Sequence, residues 1–145
     1  MTIRLLVIDD DPGILELLEG VLEDLGADVV TSDFPGNLTE LVGQTHPDLV
    51  LLDLKDGSNQ WAGLGLLGEL RFYPQTETLP VLLMSGDDTW LTALATSLQE
   101  RGVGVVSKPF DFEGLWRMIE QAVQPPSAGK LPKTSAQPVC CSGSQ

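Results

Sequence analysis

The sequence has few basic residues and no long apolar run. It contains 8 Lys and Arg against 21 Asp and Glu, which gives a formal net charge of −13. A surface of that sign repels nucleic-acid phosphates and anionic lipid, so we expect no direct nucleic-acid binding and no membrane binding. Divalent cations and basic proteins fit it better. No segment approaches the ~18 consecutive apolar residues that a membrane-spanning helix needs.

Cysteine is almost absent. The only two cysteines, Cys140 and Cys141, are adjacent in a polar C-terminal region and cannot staple a core. A reducing cytoplasm is therefore the expected location. The alternative is that the two cysteines form a reactive or metal-binding pair. The N-terminal run MTIRLLVIDDDPG ends in three aspartates and has no small-residue cleavage site, so we expect no secretory signal.

Short apolar runs alternate with leucines at helical spacing. Hydrophobic residues make up 42% of the chain, enough for one packed domain. The runs predict strands at 3–8, 28–32, 48–52, 79–84 and 103–106, and the spacing predicts helices at 12–25, 35–44, 62–72, 89–101 and 111–123. The folded domain is predicted at 1–123. Residues 124–145 are rich in Pro, Ser, Gly and Gln, which predicts a disordered or linker-like tail.

This alternation predicts an α/β fold with a parallel sheet covered by helices on both faces. Strands that are apolar on both sides agree, because neither face of such a sheet meets water. For about 123 ordered residues, we expect a doubly wound, flavodoxin-like sheet of five strands, order 2-1-3-4-5, with five helices.

Polar residues follow four of the predicted strands. Asp9 and Asp10 follow the first strand, Asp53 the third and Ser85 the fourth, and Lys108 lies just past the fifth. In such a sheet, ligands bind outside the carboxyl ends of the strands, at the point where the strand order reverses. The sequence therefore predicts that three carboxylates, a hydroxyl and an ammonium group converge on one edge.

Each of these groups suits phosphoryl transfer. Clustered carboxylates repel one another unless a cation neutralises them, and Mg²⁺ prefers oxygen ligands. Asp53 can then act as a nucleophile toward phosphorus and form an acyl phosphate. The cation and Lys108 would balance charge on the phosphoryl oxygens, and the Ser85 hydroxyl could donate to another.

Four motifs at the strand ends resemble those of the receiver domain of bacterial two-component response regulators, including the single-domain regulators of chemotaxis. They are Val7-Ile8-Asp9-Asp10-Asp11-Pro12, Pro47-Asp48-Leu49-Val50-Leu51-Leu52-Asp53-Leu54, Pro80-Val81-Leu82-Leu83-Met84-Ser85-Gly86 and Ser107-Lys108-Pro109-Phe110. The resemblance covers roughly residues 3–123.

The resemblance implies a phosphorelay function. Asp53 would accept a phosphoryl group from a phosphohistidine on a sensor histidine kinase or histidine phosphotransferase, and the change would switch binding to a downstream protein target. Mg²⁺ would be held by Asp10, Asp53 and the main-chain carbonyl of Lys55, with Asp9 acting through water. Ser85 would be the hydroxyl switch and Lys108 the phosphate-contacting lysine. Such a chain is not an enzyme for a separate substrate, since it catalyses only its own phosphorylation and dephosphorylation.

The sequence departs from this family in three places. The loop after Asp53 lacks the usual proline and is about two residues longer. Val105 stands where the family often has Tyr or Phe. The chain also ends in the tail instead of a DNA-binding domain, so we expect a single-domain regulator or relay unless it is a fragment.

Two alternatives stay open from the sequence. The first is a receiver-like adaptor that works without phosphorylation, supported by the unusual loop and Val105. The second is a phosphatase similar to haloacid dehalogenases, because Asp9 and Asp11 have that family's paired spacing. Gly13 argues against the phosphatase, since that family has Thr or Val there, and Asp53 would then have no role.

Overall fold

The structure, a computed structural model, describes residues 2–54, 62–86, 98, 103–108 and 111–123. The predicted helix at 89–101 lies outside this part of the chain except for Leu98, which is helical and buried. The predicted tail at 124–145 lies outside it altogether. None of the helices in the described ranges has the length and apolar content that a membrane crossing requires.

Five parallel strands form one sheet in the order β2-β1-β3-β4-β5, which confirms the predicted topology. In chain order, the strands are β1 (Arg4–Ile8), β2 (Asp28–Ser32), β3 (Leu49–Asp53), β4 (Val81–Ser85) and β5 (Val103–Ser107). The described residues form four helices: α1 (Pro12–Asp24), α2 (Leu38–Thr45), α3 (Ala62–Phe72) and α4 (Phe112–Val123). Strands β3 and β4 are buried along their whole length, as expected for a sheet covered on both faces.

Alternate residues of each strand feed two separate cores. Leu5, Val7, Leu49 and Leu51 face the helices α1 and α4, and they pack with Leu18, Leu22, Leu115 and Ile119. Leu6, Ile8, Val50 and Leu52 face the other side, where α2 and α3 contribute Leu38, Val42, Leu67 and Leu70. This period of two fixes the register, because a slip of one residue would exchange the two faces.

The helix ends follow local chemistry that the sequence carries. The Asp11 side chain caps α1 by accepting a hydrogen bond from the Gly13 N–H at 2.9 Å, and Pro12 occupies the first turn. Asn37 caps α2 by accepting from the Glu40 N–H at 3.0 Å. Helix α2 therefore starts three residues later than predicted. The lone histidine, His46, is the C-cap of α2, with φ of 51°, and directly precedes Pro47.

Candidate functional site

The carboxyl ends of β1 and β3 lie side by side at the centre of the sheet. Ile8 pairs with Leu52, so the next residues along the two strands, Asp9 and Asp53, are neighbours. The pairing follows from the strand order, because β1 and β3 are adjacent although a whole helix–strand–helix unit separates them in sequence. The two carboxylates therefore meet where the strand order reverses.

Asp9 is held rigidly. It is only 1% exposed, its N–H donates to the Ser32 carbonyl at 3.2 Å, and its Oδ1 accepts the Asp11 N–H at 3.0 Å. The bend that turns the chain from β1 into α1 thus orients the carboxylate. Because Oδ1 is occupied by the backbone, Oδ2 is the oxygen that Asp9 directs toward its charged neighbours.

Three carboxylates meet at this edge. One oxygen each of Asp9, Asp10 and Asp53 lies within 4.8 Å of the other two. Asp9 and Asp53 are buried, whereas Asp10 is exposed. An all-oxygen set of this kind, open to water on one side, matches Mg²⁺, which takes one or two carboxylates and keeps several waters. The donor set therefore fits the cation that the sequence predicts.

Lys108 closes the site from β5. Its backbone N–H donates to the Ser85 carbonyl at 2.7 Å, which ties the end of β5 to the end of β4. Its Nζ lies 3.1 Å from Asp9 Oδ2 and 3.4 Å from Asp53 Oδ1. Burial alone would lower the pKa of Lys108, but the charges of Asp53 and Asp9 outweigh it and the pKa is raised. The lysine therefore stays protonated and bridges the two carboxylates.

One ammonium group does not balance the carboxylates. Burial and the neighbouring charge of Asp9 raise the pKa of Asp53 to about 6 from 3.8, even though Lys108 pulls it down. The raised pKa means that the ionised form of Asp53 is poorly stabilised at this buried position beside Asp9. A divalent cation would supply the missing positive charge.

Ser85 is the last residue of β4 and is 5% exposed. Asp53 pairs with Met84, so Ser85 stands one residue further along the neighbouring strand, at the same edge. Lys55, predicted to supply a carbonyl ligand, and Pro109 lie outside the described residues. Asp11, by contrast, is exposed, and its side chain caps α1.

Gly63 supports the site and was not predicted from the sequence as a site residue. Its N–H donates to the Leu54 carbonyl at 2.6 Å, so the first turn of α3 lies directly on the end of β3. A Cβ at this position would collide with the Asp53 carbonyl oxygen and stand 2.7 Å from Leu54 Cα. The signal in the sequence was a glycine one position into a helix, where the backbone of another element approaches closely.

Comparison with known proteins agrees with this geometry. The sequence profile of the response regulator receiver domain matches residues 5–120. The chain belongs to the response regulator receiver domain family. This membership confirms the predicted resemblance.

Individual relatives give the same result. The nitrogen assimilation regulatory protein NtrX of Azorhizobium caulinodans is 32% identical over 122 residues, a match that covers 83% of this chain and 26% of NtrX. The chain thus spans about a quarter of that curated relative. The solved receiver domain of NtrX from Brucella abortus has a TM-score of 0.68 and 31% identity, covering 82% of this chain and 97% of that one. The chemotaxis response regulator CheY4 of Vibrio cholerae shares the fold, with a TM-score of 0.70 and 18% identity. That match covers 84% of this chain and 99% of the CheY4 chain.

Proposed function

We propose that Asp53 of this receiver domain accepts a phosphoryl group from a phosphohistidine of a partner protein, either a sensor histidine kinase or a histidine phosphotransferase. One observation carries the proposal. The buried Asp53 carboxylate stands 3.4 Å from the Lys108 ammonium and within 4.8 Å of oxygens of Asp9 and Asp10, at the carboxyl edge of the sheet. Among the described residues, this cluster of three carboxylates is the one group with metal-binding geometry.

Mg²⁺ would be held by Asp10 and Asp53, with Asp9 acting through water and the Lys55 carbonyl completing the set. Bound there, it would supply positive charge to the carboxylates and to the incoming phosphoryl oxygens. Both carboxylate oxygens of Asp9 already have partners, since Oδ1 accepts the Asp11 N–H and Oδ2 contacts Lys108. This supports direct contact of the ion with Asp10 and Asp53, and contact through water with Asp9.

The transfer step needs Asp53 in its ionised form. A carboxylate oxygen forms a bond to phosphorus as the P–N bond of the donor breaks, and the bonding electron pair goes to the ring nitrogen. The donor's imidazole keeps the proton on its other nitrogen and leaves as a neutral ring. The Lys108 ammonium group would exchange its contact with Asp53 for one with the phosphoryl oxygens. It would stay in the site, because it also pairs with Asp9 Oδ2 at 3.1 Å.

Phosphorylation would switch binding to a downstream protein target. Ser85 lies at the same edge and its hydroxyl would donate to a phosphoryl oxygen, which pulls the end of β4 toward β3. Lys108 transmits the change to β5 through its backbone bond to the Ser85 carbonyl. The chain would work in the cytoplasm and would act on no separate substrate.

The test is intact-mass spectrometry after incubation with acetyl phosphate and Mg²⁺. Wild-type protein should gain one phosphoryl group, whereas Asp53→Asn, which removes the nucleophile and keeps the shape, should gain none. Asp11→Asn is the matched control, because an adjacent exposed carboxylate is neutralised while Asn still caps α1. No modification of the wild type, or equal modification of wild type and Asp53→Asn, would overturn the proposal.

Phosphorylation-independent adaptor function is the second candidate. Val105 lies in β5 and packs as a partly buried residue against the core on the α2 and α3 face. A Tyr or Phe at this position could move its ring between an exposed and a buried position. Val105 has no ring, so β5 cannot signal through such a movement of this residue. The mass experiment decides between the candidates, because an adaptor would remain unmodified under the same conditions.

A further inference from the structure

The outer face of α1 is open and partly apolar. We define the α1 outer face by Glu16, Leu17, Gly20, Glu23 and Asp24, which follow one another at helical spacing and are all exposed. Leu17 is 49% exposed, and a Cβ built on Gly20 would meet nothing within 4 Å. No helix or strand among the described residues covers this face. It thus combines a shallow apolar centre with carboxylates on both sides.

Among the described residues, the ion pairs are those of Lys108, so neither Arg4 of β1 nor Arg117 of α4 pairs with these carboxylates. No Lys or Arg occurs between Arg4 and Lys55, so α1, β2 and α2 contain none. Residues 124–145 have the opposite composition, with Lys130 and Lys133 and no Asp or Glu. The two lysines flank Leu131, so this short segment matches the α1 outer face both in charge and in its single apolar side chain.

The end of α4 and helix α1 lie on the same side of the sheet. Helices α1 and α4 each follow the carboxyl end of a strand, so both run back toward the amino edge of the sheet, and both pack on the same core. Val123, the last residue of α4, is part of that packing. Seven residues, 124–130, span at most about 25 Å when fully extended, and the 13 residues of α1 are about 20 Å long.

From these observations we infer that the segment Lys130–Lys133 docks on the α1 outer face of the same molecule. Lys130 and Lys133 pair with its carboxylates, and Leu131 rests on Leu17. Single surface ion pairs are weak, but tethering gives the segment an effective concentration on the order of millimolar, which makes a weak contact populated. The docked segment covers the helix that begins beside the acid cluster. The inference does not depend on phosphorylation of Asp53.

The native cysteines provide the probe. Both lie in residues 124–145, so a thiol-directed nitroxide on Cys140 in a Cys141→Ser chain labels the tail without changing the domain. Amide peak intensities of the isotope-labelled full chain should fall about twofold along α1 relative to α2, and recover when salt is raised from about 0.05 to 0.5 M, because screening shortens the reach of the charges. A mixture of spin-labelled unenriched chain with unlabelled enriched chain should show no such loss.

Charge exchange tests the pairing. Lys130→Glu with Lys133→Glu should abolish the loss along α1, and adding Glu16→Lys with Glu23→Lys should restore it. The matched control places the same charges on the opposite face of the sheet, Glu40→Lys with Glu77→Lys, and should restore nothing. Equal intensity loss over all faces, an effect indifferent to the lysines, or a loss that appears in the mixed sample would each overturn intramolecular docking on α1.

Discussion

Replacing Asp53 by Asn should stabilise the metal-free protein. In the folded chain, burial and the charge of Asp9 raise the Asp53 pKa to about 6 from 3.8. Between those two pH values the folded state keeps a proton that the unfolded state has already released, so the free energy of unfolding falls as pH rises through this window. Above this pH window, Asp53 is ionised in both states, and the full cost of burying its charge lowers the free energy of unfolding.

The size of the effect follows from the pKa. A rise from 3.8 to about 6 corresponds to about 3 kcal/mol at ~1.4 kcal/mol per unit. Asn resembles the protonated acid in shape and carries no charge. Asp53→Asn should therefore unfold with a free energy about 2–3 kcal/mol above wild type at pH 7.5 in chelator, and the difference should shrink toward zero near pH 4.

Urea denaturation followed by circular dichroism, in chelator at pH 4, 5, 6 and 7.5, measures this difference. Asp28→Asn is the matched control, because it removes an exposed carboxylate at the opposite end of a strand. Saturating Mg²⁺ should reduce the advantage of Asp53→Asn by binding the wild type. The reasoning is refuted if Asp53→Asn is less stable than wild type at pH 7.5 in chelator, or if its advantage does not grow between pH 4 and 6.

Three further predictions concern the surroundings of Asp53. Lys108→Met should lower the free energy of unfolding without Mg²⁺ by about 1–3 kcal/mol, because it leaves two carboxylates without their cation. It should also increase the stabilisation gained from Mg²⁺. Denaturation with and without the ion measures both effects, and an unchanged Mg²⁺ effect would contradict the prediction. Gly63→Ala should shift the end of β3 and weaken Mg²⁺ binding several-fold, whereas Gly65→Ala, which meets nothing within 4 Å, should not; equal affinities would contradict it. Asp11→Ala should cost about 1 kcal/mol through the lost cap of α1 without changing Mg²⁺ affinity, as read by denaturation and calorimetry.

Much of the fold follows from the sequence. The strand at 28–32 and the helix at 62–72 have the predicted bounds, because apolar runs and turn residues mark both ends. The predicted strand at 79–84 is instead Val81–Ser85. Pro80 has no N–H for the sheet, and Leu79 closes a turn with Thr76. The late start of α2 was also readable, since Asn37 and Glu40 form the cap spacing of a helix N-terminus.

The site was predictable as a set of residues, but its geometry was not. Strand order alone brings Asp9 and Asp53 to adjacent strand ends. That Lys108 bridges both carboxylates depends on how far β5 extends and on its bond to Ser85, which no local pattern encodes. The contact of Gly63 with the end of β3 depends likewise on how α3 docks. Sequence patterns report periodicity and caps, whereas such distances arise from packing between elements.

The most direct test of the account is calorimetric titration of Mg²⁺ into wild type, Asp10→Asn and Asp11→Asn. The two substitutions remove neighbouring exposed carboxylates, but only Asp10 belongs to the cluster around Asp53. The account predicts one site in the wild type, at least about tenfold weaker binding in Asp10→Asn, and unchanged binding in Asp11→Asn. Equal affinities in the two variants, or no binding to the wild type, would contradict it.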